Sequence, residues 1–190
     1  MNKIDFSKIY LGTSSQGKLD EYNSFGLSLK NKIIPDAPEV LGTEEEVIIY
    51  KALNFGENIL VEDTSLHVEG EDFGVNIKWL IKELHQNQKY DGKKASWLVY
   101  LGLIYQKQLY LTKEEVKGSI CTKKGNKQAF GFDSVFIPDG EVESLWELKQ
   151  KNYKDKHSAR KKAITKLLNQ QFDKVIPVET IPMWTGKYQK

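Results

Sequence analysis

Ile59-Leu60-Val61-Glu62-Asp63-Thr64 is an apolar run too short for a helix, and it ends abruptly in two adjacent carboxylates. Open α/β sheets present metal-binding and proton-transferring groups to a crevice in this way, on a buried strand with acids at its C-terminal edge. The stretch therefore predicts an α/β sheet and points to metal-assisted chemistry. Neighbouring side chains on a strand face opposite ways, so one acid is expected at a metal and the other elsewhere, unless both simply end the strand in water.

Outward from this strand the chain alternates elements. Ile9-Tyr10-Leu11 reads as a short strand, followed by the polar turn Gly12-Thr13-Ser14-Ser15-Gln16-Gly17-Lys18 and a helix over about 19–27. Pro35 and Pro38 bracket an extended connection. Thr43 with Glu46 three residues on is a capping-box signature for a helix running to about Phe55, stopped by Gly56. Downstream, Ile77, Leu80, Ile81 and Leu84 recur with the spacing of an amphipathic helix. Runs over 97–105, 108–112, 116–121 and 129–137, separated by turns such as Lys124-Gly125-Asn126, predict an antiparallel meander. A last helix from about Ser158 carries Ala163, Ile164, Leu167 and Leu168 on one face, and residues 175–190 form a short polar tail. The layout predicts one mixed α/β domain over residues 1–190, with two lobes and a cleft between them.

Composition narrows the function. Twenty-eight Lys and Arg against 26 Asp and Glu leave a net charge of +2, unlike the one-sided basic surface of a nucleic-acid binder. The single Cys121 excludes an intramolecular disulfide and a multi-thiolate zinc site, so a metal here would be a hard, oxygen-ligated ion. Met1-Asn2-Lys3-Ile4-Asp5 lacks the apolar core of a signal peptide, and no apolar run approaches the ~18 residues of a membrane span. The expectation is a cytoplasmic protein with no membrane or nucleic-acid partner.

Four constellations could carry chemistry. The turn from Gly12 to Lys18 has the form G-x-x-x-x-G-K, but Leu19 stands where a P-loop needs a hydroxyl to ligate magnesium. What survives is a phosphate turn built from helix-start amides, the hydroxyls of Thr13, Ser14 and Ser15, and Lys18; a capped turn with a solvated lysine fits the pattern as well. Glu39, in the stiff Pro38-Glu39-Val40 segment, is the candidate carboxylate to join Glu62 and Asp63, whereas Glu44, Glu45 and Glu46 suit the first turn of a helix. Phe130-Gly131-Phe132-Asp133 combines aromatic faces with one acceptor, which suits either a planar heterocycle or core packing. Lys154, Lys156, His157, Arg160, Lys161 and Lys162 crowd a helix start, where a bound anion or a solvated basic face would relieve them.

Together these segments resemble the inosine triphosphate pyrophosphatase family, over roughly residues 9–168. Residues 13–18 are similar to its T-G-N-x-x-K turn, Pro38-Glu39 to its metal-binding segment, and Lys51-Ala52 to its helix lysine. Glu62-Asp63-Thr64-Ser65-Leu66 resembles (E/D)-D-(S/T)-G-L, Ile77-Lys78-Trp79 the following helix, and Phe130-Gly131-Phe132-Asp133 F-G-(F/Y/W)-D-P. Ser158-Ala159-Arg160-Lys161-Lys162-Ala163-Ile164 matches S-H-R-x-K-A-L best.

The resemblance implies an elongated mixed sheet with flanking helices, a homodimer, and cleavage of nucleoside triphosphates such as ITP, dITP and XTP to monophosphate and pyrophosphate. It assigns magnesium, with manganese as a substitute, to Glu39 and Asp63. Water activation falls to Asp63 or Glu62, and residues 13–18, Lys51 and Arg160 neutralise phosphate charge. Phe130, Phe132, Asp133 and Lys154 face the base; Thr64, Lys78, Gly131 and Ser158 complete the substrate set. The departures are Ser15 for Asn, Ser134 for Pro and Ala159 for His, with His157 nearby. They cluster in substrate recognition, so an altered base preference and a nucleotide sensor on the same scaffold stand beside the enzyme reading, and residues 175–190 lie outside the likeness.

Overall fold

The computed structural model describes residues 3–32, 38–71, 83–84, 87–124, 129 and 131–189. Among these residues seven strands form one mixed sheet: β1 (Tyr10–Leu11), β2 (Lys30–Asn31), β3 (Ile59–Val68), β4 (Lys94–Tyr105), β5 (Gln108–Ile120), β6 (Phe136–Pro138) and β7 (Lys174–Pro177). Their order is β2-β1-β3-β4-β5-β6, with β7 paired to β5. β1 runs parallel to both β2 and β3, while β6 and β7 pair antiparallel with β5. Helices α1 (Gln16–Ser24), α2 (Glu44–Phe55), α3 (Leu145–Gln150) and α4 (Ala159–Leu168) complete the α/β class that the sequence predicts. No helix among the described residues is long and apolar enough to cross a membrane.

The chain divides into two compact units, one of Met1–Asp63, Val99–Lys113 and Arg160–Lys190, the other of Thr64–Leu98 and Glu114–Ala159. In the first unit β1 leads into α1 as expected, but the helix begins at Gln16 rather than near residue 19. Ser15 caps it by accepting from the Lys18 amide, which places Lys18 in the first turn. Gly12 is required by its surroundings. A Cβ there would lie 2.6 Å from the Phe55 ring and 2.8 Å from Ile59, so only glycine lets the turn pass beneath α2. The Thr43–Glu46 capping box forms as predicted, and α2 ends at Gly56.

Four expectations need correction. The acid strand does not stop at Asp63 but continues to Val68, so both carboxylates sit mid-strand. The predicted runs 108–112 and 116–121 are one strand, because Lys113, Glu114 and Glu115 are its more exposed positions and not a break. Residues 131–135 are turn, not strand: the Val135 and Phe136 amides both donate to the Phe132 carbonyl, which curls Phe132, Val135 and Phe136 into the core. The tail is also more than a polar end, since it supplies β7. Of the stripe at 77, 80, 81 and 84, only buried Leu84 lies within the described residues. Pro35 and the Gly125-Asn126 turn lie outside them.

Candidate active site

β3 places Glu62 and Asp63 in two different polar clusters, both within the first unit. Glu62 is buried, with 2% of its side chain exposed. The guanidinium of Arg160 grips it as a fork, Nε donating to Oε2 and Nη2 to Oε1, each at 2.8 Å. The Tyr22 hydroxyl donates to Oε2 at 2.9 Å, and the Lys18 ammonium lies 3.2 Å from Oε1. Arg160 also donates to Glu21 through Nη1. Burial opposes the charge on Arg160, but Glu62 and Glu21 outweigh it and hold the guanidinium cationic. Burial, together with the anion of Glu62, pushes the Tyr22 phenol well above its ordinary range, so Tyr22 stays a donor.

Asp63 belongs to the other cluster. Lys51 of α2 extends between two acids, 2.7 Å from Glu39 Oε1 and 3.8 Å from Asp63 Oδ1. Burial raises the Asp63 carboxyl to about 6, against the pull of Lys51 and Lys18 and with the help of Glu39 and Glu62. Burial depresses Lys51, yet Asp63 and Glu39 more than offset it and raise its pKa. Asp63 can thus exchange a proton near neutrality, whereas Glu62 is already engaged by several donors.

Two carboxylates from separate stretches of the chain, meeting at the Lys51 ammonium, make a donor set of hard oxygens. Magnesium asks for one or two carboxylates, with phosphate and water supplying the rest, so Glu39 and Asp63 fit that ion. Among the described residues no group of three or more acidic, histidine or cysteine side chains could hold a metal ion.

Of the predicted phosphate turn, Thr13 accepts from the Ser15 amide at 3.0 Å, Ser14 is exposed, and Gly17 lies in the first turn of α1. The Gln16 amide donates to Asp20 at 2.7 Å, so its side chain is spent on the surface of α1.

The second unit holds the residues expected at a base. Asp133 and Lys154, both nearly buried, pair at 2.7 Å. Lys154 Nζ also sits 5.9 Å from the centre of the Trp97 ring. Phe132 packs edge-on against Trp97 and Phe136, at 5.7 and 6.0 Å. The aromatic segment is thus built into the core, one of the two roles open to it from sequence. Ser158 and Ala159 are fully buried, Thr64 is half-buried on β3, and Gly131 takes a positive φ of 57°. Phe130 and Lys78 lie outside the described residues. His157 pairs with Glu141 at 2.9 Å, so with Lys154 and Arg160 half of the basic run meets the chain's own carboxylates.

Sequence reasoning missed Glu21 and Tyr22, which close the cluster around Glu62 and Arg160. A signal existed for both: they stand three and four residues after Lys18, on the same face of α1.

The model of the Ham1 family matches residues 9–170. An inosine triphosphate pyrophosphatase of Scheffersomyces stipitis is 33% identical over 173 residues, covering 84% of this chain and 87% of the relative. A dITP/XTP pyrophosphatase of Hyperthermus butylicus is 26% identical over 178 residues, covering 84% and 92%. Among solved structures, a HAM1 protein from Coxiella burnetii aligns with a TM-score of 0.65 at 21% identity, covering 85% of this chain and 96% of that one. The Staphylococcus aureus Ham1 protein aligns with a TM-score of 0.61, also at 21% identity and the same coverage. These neighbours share the fold.

Proposed function

The chain belongs to the Ham1 family, and from that premise we propose that it hydrolyses non-standard purine nucleoside triphosphates, ITP, dITP and XTP, to the monophosphate and pyrophosphate. The observation that carries the reading is the pair of clusters on β3. One keeps the proton-exchanging Asp63 beside Lys51, and the other locks the anion of Glu62 against Lys18 and Arg160.

The turn over residues 13–18 binds phosphate through helix-start amides, the hydroxyls of Thr13, Ser14 and Ser15, and Lys18. Lys51 adds a second ammonium against charge that develops as the anhydride breaks. Asp63 takes the proton of the attacking water, its carboxylate on β3 standing beside Lys51. Glu62 acts as a positioning residue that keeps Lys18 and Arg160 in place. Glu39 and Asp63 would hold magnesium, or manganese in its stead, and a divalent ion held there would neutralise triphosphate oxygens. Of the residues expected at a base, the Asp133–Lys154 pair serves base choice, while Phe132 is spent on core packing. The same reading expects a homodimer acting on a cytoplasmic nucleotide pool.

Purified chain with magnesium, offered ITP, dITP, XTP, ATP and GTP, should release pyrophosphate fastest from the first three. Release from ATP or GTP at equal rates would instead indicate an altered base preference. Binding of ITP without any pyrophosphate release would sink the enzyme reading in favour of a nucleotide sensor.

A further inference from the structure

Glu39 sits in a segment with little structure of its own. Val40 is buried at 2% exposure but is bridged only in isolation, antiparallel to Tyr188, among the described residues, and Leu41 is more than half exposed. Among the described residues, the backbone hydrogen bonds of residues 39–41 run to the C-terminal tail. The Gln189 amide donates to the Glu39 carbonyl and the Leu41 amide to the Lys187 carbonyl, both at 2.8 Å, while Gln189 Nε2 donates to the Val40 carbonyl at 3.1 Å.

The tail is itself anchored on α2. The Trp184 ring packs on Tyr50 with centroids 5.0 Å apart, and the Tyr50 hydroxyl donates to the Pro182 carbonyl at 2.9 Å. Trp184 Nε1 donates to the Lys187 carbonyl at 3.0 Å, so the same carbonyl closes the tail's turn and accepts from Leu41. Tyr50 immediately precedes Lys51. One turn of α2 therefore carries both the anchor of the tail and the cation that meets the Glu39 carboxylate.

We propose that residues 182–189 form a positioning strap for Glu39, with Trp184 its key residue, and that the strap sets the affinity of the Glu39–Asp63 pair for a divalent cation. The inference rests on the reading of Glu39 as a ligand. A carboxylate on an unsupported segment spends binding free energy on its own ordering, and the strap removes that cost beforehand.

The test titrates Mn2+ alone into the substrate-free full chain, followed by water-proton relaxation, for the parent, Trp184→Ala and Glu39→Gln. Both variants should bind more weakly, Trp184→Ala by roughly tenfold, the lower end of the loss on removing outer partners of metal ligands. In turnover, Trp184→Ala should raise the magnesium concentration needed for half-maximal rate and recover most of kcat at saturation. Weak binding by Glu39→Gln with parental binding by Trp184→Ala would overturn the strap and leave the proposed activity untouched. Parental binding by Glu39→Gln would overturn the ligand assignment and the strap with it. Should Trp184→Ala lose its cooperative melt, hydrogen exchange on the parent decides. Slower exchange at the Leu41 and Gln189 amides on adding Mn2+ supports the strap, and unchanged exchange overturns it.

Discussion

Asp63 is only 13% exposed at its side chain, and its acidity is weakened to about 6, chiefly because burial penalises the anion. The folded chain therefore holds this proton more tightly than the unfolded chain does. The stability it contributes is complete at acid pH and is lost as pH rises from about 4 through 6. A displacement of about two units corresponds to about 3 kcal/mol at neutral pH as an upper bound. In metal-free buffer at pH 7, Asp63→Asn should raise the urea midpoint by the equivalent of about 1–3 kcal/mol and flatten the pH dependence of stability between 4 and 6. Pyrophosphate release should meanwhile fall by a factor of about 10²–10⁴. A variant less stable than the parent at pH 7 would contradict this account. That a buried strand carries Glu62 and Asp63 was legible in the sequence; their separation into two clusters was not. Alternation separates neighbours onto two faces, but it does not reveal that Glu62 is sealed by Tyr22, 40 residues earlier, and Arg160, 98 residues later.

Elements with strong local signals were the ones the sequence revealed. The Thr43 capping box, β1 and α4 each carry a cap or a period. β2, by contrast, is two exposed residues, Lys30 and Asn31, held by their pairing with β1, and nothing local marks them. Residues 131–135 read as strand because alternating phenylalanines mark one, yet Phe132 and Phe136 reach the core equally well from a chain that curls back on a shared carbonyl. Contact between elements explains one glycine that motif matching attributes to phosphate binding alone. The Gly12 amide donates to the Leu60 carbonyl at 2.9 Å, and its missing side chain leaves room for Phe55 of α2. Gly12→Ala should therefore cost about 1–3 kcal/mol by overpacking, read as a lower urea midpoint. Adding Phe55→Leu should recover a substantial part of that loss, whereas a glycine kept only for phosphate contact would show no such recovery.

At the scale of the whole chain, the limit of the family likeness is not the limit of the fold. The match to the family ends at residue 170, yet β7 begins at Lys174 and pairs residue for residue with Gln108, Leu109, Tyr110 and Leu111 of β5. Those four positions are largely buried, with Leu109 at 0% and Leu111 at 2% exposure. Without β7 they would present an unpaired apolar edge, the feature that templates aggregation. Residues 182–189, on the other hand, bond the Glu39 segment and α2, leaving β5 covered. The tail thus splits into a part that closes the sheet and a part that supports the site. A chain ended after residue 170 should lose its cooperative thermal transition or elute as aggregate in size-exclusion chromatography. A chain ended after residue 181 keeps β7 and should elute as the parent does with a cooperative melt, losing only magnesium affinity. Equal behaviour of the two truncations would show that β7 does not protect the edge of β5.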